Sequence, residues 1–160
     1  MNVADPIMTR ITEGITDFRT GDPDRARAAL LGVWAEIGPA GDPLHRCTLA
    51  HYLADTYDDP AEALVWDVRA LDAADVLTDT RLADHHAGLR VSGFYPSLHL
   101  NLADNFRRLG AFPAATHHIA AARERLDVLP DDDYGALIRR VCAEVAAAIA
   151  AGDTTRRPTH

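Results

Sequence analysis

Residues 95–130 read YPSLHLNLADNFRRLGAFPAATHHIAAARERLDVLP, and this stretch decides the fold. Leu98, Leu102, Phe106 and Leu109 recur at helical spacing, so a helix with one apolar stripe is predicted. Gly110 stops that run, and Pro113, tolerated early in a helix, lets a second one begin. The second run carries Ala115, Ile119, Ala122 and Leu126 on one face before Pro130 closes it. Residues 95–129 are thus predicted to form a helical hairpin.

Two further copies lie upstream. Asp5-Pro6 pairs a cap residue with the imino acid suited to a first helical turn. It opens a helix that ends at Gly21. Asp22-Pro23 opens its partner through Ala26, Leu30, Val33, Trp34 and Ile37, which gives a hairpin over 7–38. Asp42-Pro43 starts a helix through Cys47, Leu49, Ala50, Leu53 and Tyr57, and Asp59 with Glu62 three residues on is a capping box for the next. That hairpin spans 43–75. Residues 76–94 form an insertion, with a short helix capped at Thr78-Asp79 and a turn at Gly93. The acidic run at 131–133 then opens an amphipathic helix over 132–150, on which Tyr134, Leu137, Ile138, Val141, Cys142, Val145 and Ile149 share a face. The polar tail 152–160 is expected to be disordered.

The order of side chains in the 95–130 unit is filled by His99, Leu102, Ala103, Phe106, Gly110, Ala115, Ile119 and Ala122. It resembles the tetratricopeptide repeat, whose unit is about 34 residues. In the first hairpin Gly14, Gly21, Ala26, Leu30 and Val33 match Ala103, Gly110, Ala115, Ile119 and Ala122. The middle hairpin departs most from the pattern. His51 stands at the small-residue position, Asp58 at the turn glycine and Asp67 at a large apolar position. The resemblance implies a single all-α domain over 1–151, an α-α superhelix of about three hairpins, with the last helix covering the open end of the stack.

Composition narrows the function classes. The net charge of −8 argues against a sequence-independent grip on nucleic acid, which needs clustered cations along a phosphate backbone. No apolar run is long enough to span a membrane, and the start MNVADPIMTR lacks the pattern of a signal peptide, so a cytoplasmic setting is expected. Cys47 and Cys142 lie far apart with no paired spacing and read as small core residues in a reduced compartment.

Eight histidines invite a metal reading. Cys47 and His51, four apart on a predicted helix, could face one ion, but no third ligand sits at a telling spacing. His85-His86 and His117-His118 are adjacent pairs whose side chains diverge on a helix. His99 lies on the packing stripe and reads as a hydrogen-bonded core residue. No phosphate loop or nucleophile elbow occurs, and the aspartate clusters near 58 and 131 fall at helix starts, where capping explains them. The chain is therefore read as non-enzymatic, with no cofactor and no metal assigned. The alternative is a small-molecule or metal-binding protein using His and Cys residues around the 76–94 insertion.

In tetratricopeptide proteins the first helices of successive hairpins line a concave groove, and the resemblance implies one here. On the middle hairpin that face carries His45, Thr48, Tyr52 and Asp55. On the third it carries Ser97, Leu100, Asn101, Asp104, Arg107 and Arg108, and on the first Met8, Thr12, Ile15 and Arg19. Polar groups suited to an extended backbone, with Tyr52 and Leu100 as apolar anchors, point to a peptide or helix of another protein as the partner. Asn101 with Arg108 is similar to the family's grip on a terminal carboxylate, although His45 stands where a fixed cation would complete it. A second copy of the chain is the other candidate partner, through Trp34, Trp66 or Phe94.

Overall fold

The structure is a computed structural model that describes residues 4–85 and 90–158. The domain is all-α, and no strand occurs among the described residues. Among the described residues eight α-helices follow in order: α1 Pro6–Thr20, α2 Pro23–Ile37, α3 Pro43–Asp55, α4 Pro60–Val76, α5 Asp79–His85, α6 Tyr95–Arg108, α7 Phe112–Arg123 and α8 Asp133–Ala150. None is long and apolar enough to cross a membrane.

The Asp-Pro dipeptides set the first four starts. Asp5, Asp22, Asp42 and Asp59 each accept backbone N–H groups of the first turn they precede. The following proline removes a donor that would otherwise be orphaned there. Asp22 accepts from Asp24 and Arg25 at 3.1 and 3.2 Å. Asp22→Ala is accordingly expected to cost about 1 kcal/mol, read as a lower urea midpoint; an unchanged midpoint would show that this cap contributes nothing.

Consecutive helices pair as α1 with α2, α3 with α4, and α6 with α7, while α4 also packs on α6. The positions equated between hairpins are buried alike: Gly14, Ala26, Leu30 and Val33 in the first, Ala103, Ala115, Ile119 and Ala122 in the third. At Gly14 a Cβ would stand 2.5 Å from a methyl of Leu30, so any larger residue would force the buried Leu30 side chain to shift. Gly110 has φ +75°, the left-handed turn that separates α6 from α7.

The end of the third hairpin differs in detail from the prediction. Helix α7 stops at Arg123, and Leu126 lies in a 3-10 turn, Leu126–Val128, instead of extending the helix. That turn brings both Leu126 and Leu129 onto α8, while Arg139 donates to the carbonyls of Leu126 and Leu129 at 3.2 Å each. In the insertion, Thr78 accepts from the Arg81 N–H and Leu82 is buried with Leu44 and Leu77. His86, one of the insertion's paired histidines, lies outside the described residues. Trp66 is buried and meets Trp34 edge to face at 5.0 Å, and Phe94 packs against the core. Trp34 and Phe94 are half-buried against this core.

Candidate functional site

Helix α8 does more than cover an end. It packs along α6 as well as α7, and Ile138, Val141 and Val145 bury Leu100 to 4 % exposure. With the wall it adds, the space between α3, α6 and α8 is a half-open cavity of about 510 Å³. Tyr52 and Asp55 of α3 line it together with Leu100, Asn101, Asp104 and Arg108 of α6. Tyr134 and Leu137 come from α8, and Arg19 from α1 stands at its edge. A neighbouring cavity of about 270 Å³, lined by Cys47, Thr48 and Ser97, shares His51, Tyr52 and Tyr134 with it.

Three residues read from the sequence as groove-facing are otherwise engaged. His45 Nε2 lies 2.7 Å from Asp5 Oδ2, so its ring ties α3 to the start of α1 and faces no partner. Leu100 forms cavity wall but belongs to the α6–α8 core, which corrects its assignment as a free apolar anchor. Arg107 is 0 % exposed. Its Nε and Nη2 donate to Asp104 Oδ1 at 3.0 and 2.8 Å, and its Nη1 donates to the carbonyls of Asp153 and Thr155 at 2.6 and 2.9 Å.

Those last bonds hold the start of the tail against α6. Residues 153–158 have no regular structure, yet they are strapped beside the cavity: Arg156 pairs with Asp58 at 2.8 Å, and Arg157 pairs with Glu144. Arg156, Arg157 and Pro158 all line the cavity. The composition of the tail carries no sign of these bonds because their donor, the guanidinium of Arg107, comes from a distant helix.

The cavity is also lined by two residues that depart from the repeat pattern, Asp67 and His51, the second of which the sequence also offered as a metal ligand with Cys47. Asp67 of α4 occupies the position held by Leu30 and Ile119 in the other hairpins and is equally buried, at 2 % exposure. Its Oδ2 accepts from Asn105 Nδ2 at 2.6 Å, while its Oδ1 has no hydrogen-bond partner. Burial above all, and then the nearby charge of Asp55, hold this carboxyl well above the usual carboxylate range. His51, at the position of Gly14 and Ala103, meets Asn101 with 3.4 Å between Nδ1 and Nδ2. Desolvation lowers the His51 pKa against the pull of Asp55 and so favours the neutral imidazole. Asp55 is raised by the same desolvation, offset in part by His51 and Arg19. Two breaks in the repeat pattern that meet in one cavity were the signal available in the sequence.

The remaining chemical candidates lie elsewhere. His99 Nδ1 is 3.2 Å from His118 Nδ1, and both rings stack in a series running from Tyr95 to Phe106. Burial first, then the charge of Arg125, pushes His99 down to about 4, so this pair is a neutral packing element. Cys47 is pushed up to about 12 by burial and stays a thiol, the form that binds metal poorly. Among the described residues no group of three or more His, Cys, Asp or Glu side chains is arranged to hold a metal ion.

No family model, curated protein or solved structure matches the chain. The chemistry of the cavity is therefore argued from its own residues.

Proposed function

We propose that this chain is a non-enzymatic, tetratricopeptide-like interaction module of the cytoplasm. Its hairpins stack as a right-handed superhelix and hold a segment of a partner protein. The observation that carries this reading is the convergence of Tyr52 and Asp55 on α3 with Asn101, Asp104 and Arg108 on α6 around one cavity. These are the same faces of two successive first helices.

The dimensions favour an extended peptide over a docked helix. A space of about 510 Å³ lies within the range of pockets that enclose a small molecule, roughly 300–1,000 Å³. It receives one or two side chains, while the backbone of the segment runs along the rim. Polar groups there suit such a backbone: the Asn101 carboxamide and the Arg108 guanidinium donate, and Asp104 accepts.

Selection of displayed random peptides on the immobilised protein tests this reading. Enriched peptides are expected to bind the wild type and to lose about tenfold, ~1.4 kcal/mol, on a Tyr52→Ala, Arg108→Ala double variant whose helical circular dichroism is intact. Failure to enrich any sequence, or equal binding by the double variant, removes the cavity from the account.

A further inference from the structure

Asp67 is an acid where the repeat calls for a large apolar side chain. A buried carboxyl with one oxygen unpartnered costs stability, on the order of 1–3 kcal/mol, which the Asn105 bond to its other oxygen offsets only in part. Asp55 and Asp104 line the same cavity, so three carboxyl groups from α3, α4 and α6 converge on one space. Both Arg107 bonds to Asp104 land on Oδ1, which leaves Oδ2 for a ligand.

The arginines around the cavity compensate this floor only in part, at Asp104 and Asp55. Arg107 is committed to Asp104 Oδ1 and the tail carbonyls, and Arg108 donates to the Asp58 carbonyl at 2.8 Å. Arg156 and Arg157 pair with Asp58 and Glu144 at the mouth. Arg19 acts on Asp55 through its charge. Asp67 Oδ1 has none of them as a partner. The side walls offer Tyr52 and Tyr134, whose rings attract a cation, while the Tyr57 ring already has the Arg27 guanidinium 4.6 Å from its centroid.

We propose that the cavity takes the cationic side chain of an extended peptide, arginine or lysine, seated between Asp55 and Asp104 with the Asp67 carboxyl beneath it. The proposal rests on the peptide-binding reading above and specifies its chemistry. The tyrosine rings of the wall pack against the aliphatic stem, and the floor offers Asp55 and Asp104 together with the unpartnered Asp67 Oδ1. A neutral isostere fills the same volume without that attraction.

Isothermal titration of the full chain with four acetylated, amidated peptides Thr-Xaa-Pro-Thr tests this, with Xaa arginine, lysine, citrulline or glutamate. At least one cationic peptide is expected to bind about tenfold more tightly than the citrulline peptide, and the stronger of the two identifies the preferred cation. Asp67→Asn, which keeps the side-chain shape and the Asn105 contact, is expected to remove that advantage while leaving citrulline binding unchanged. Its melting temperature, no lower than that of the wild type, separates lost recognition from lost folding. If citrulline or glutamate binds as well as both cations, or if Asp67→Asn leaves the preference intact, the cationic assignment is overturned while displayed peptides still bind. If none of the four binds at millimolar concentration, the assignment is overturned too, and the peptide selection then decides the broader reading separately.

Discussion

Arg107→Ala is expected to lower the stability of the domain by about 3 kcal/mol, the low end of the range for breaking a buried ion pair. The melting temperature should fall by roughly 6–12 °C for a chain of this size. The guanidinium is fully enclosed and makes four hydrogen bonds, two to Asp104 and one each to the carbonyls of Asp153 and Thr155. Removing it leaves a partly buried carboxylate without its counter-charge and frees the strap beside the cavity. Arg107→Lys keeps the charge but loses the planar fork, so it should recover only part of the loss. Arg108→Ala, one helical position on, removes a bond to a carbonyl at the surface and should cost less than about 1 kcal/mol. Equal thermal unfolding of the two alanine variants would show that burial of Arg107 does not set its contribution.

Asp67→Asn is expected to act in the opposite direction, raising stability by about 2 kcal/mol at neutral pH. The sign follows from linkage. The folded-state pKa of Asp67 lies above its unfolded value of 3.8, so between the two the native state binds more protons and stability falls as pH rises. Asparagine has no such dependence. The gap between variant and wild type should therefore be small near pH 4 and widen toward neutrality, as measured by urea unfolding across that range. A gap that is absent, or that narrows as pH rises, would mean that the buried carboxyl has a compensating partner. A residue whose replacement stabilises the fold and weakens peptide binding is one retained for function.

The hairpin boundaries were legible because they depend on local chemistry. Asp-Pro at four helix starts and Gly110 at a left-handed turn act within a few residues of themselves, so their effect is visible without knowing what the helix packs against. The inward stripes were equally legible: Leu30 and Ile119 lie in the same register and are buried in the same way. The cavity was legible only in part. Tyr52, Asp55, Asn101, Asp104 and Arg108 were found from the face opposite the packing stripe. His45 and Arg107 share that face by periodicity, yet each is claimed by a partner distant in sequence, Asp5 for one and the 153–155 backbone for the other.

Asp67 and His51 illustrate the converse. In the sequence they weakened the match of the middle hairpin to its neighbours, and nothing local distinguished a degenerate repeat from a polar site. Only their meeting with Asp55, Asn101 and Asp104 in one cavity gives the departures a chemical meaning.

The sequence by itself determined which segments are helical, where most of them begin, and which stripe of each turns inward, since capping, turn geometry and periodicity are short-range properties; the end of α7 at Arg123 was not among them. The tertiary structure alone decided that α8 lies along α6 and walls a half-open cavity, that Arg107 anchors the tail, and that an unpartnered carboxyl sits at the floor. Those outcomes depend on which charges and apolar faces meet across 38 or more positions of chain, as Asp67 and Asn105 do, and no local pattern carries that distance.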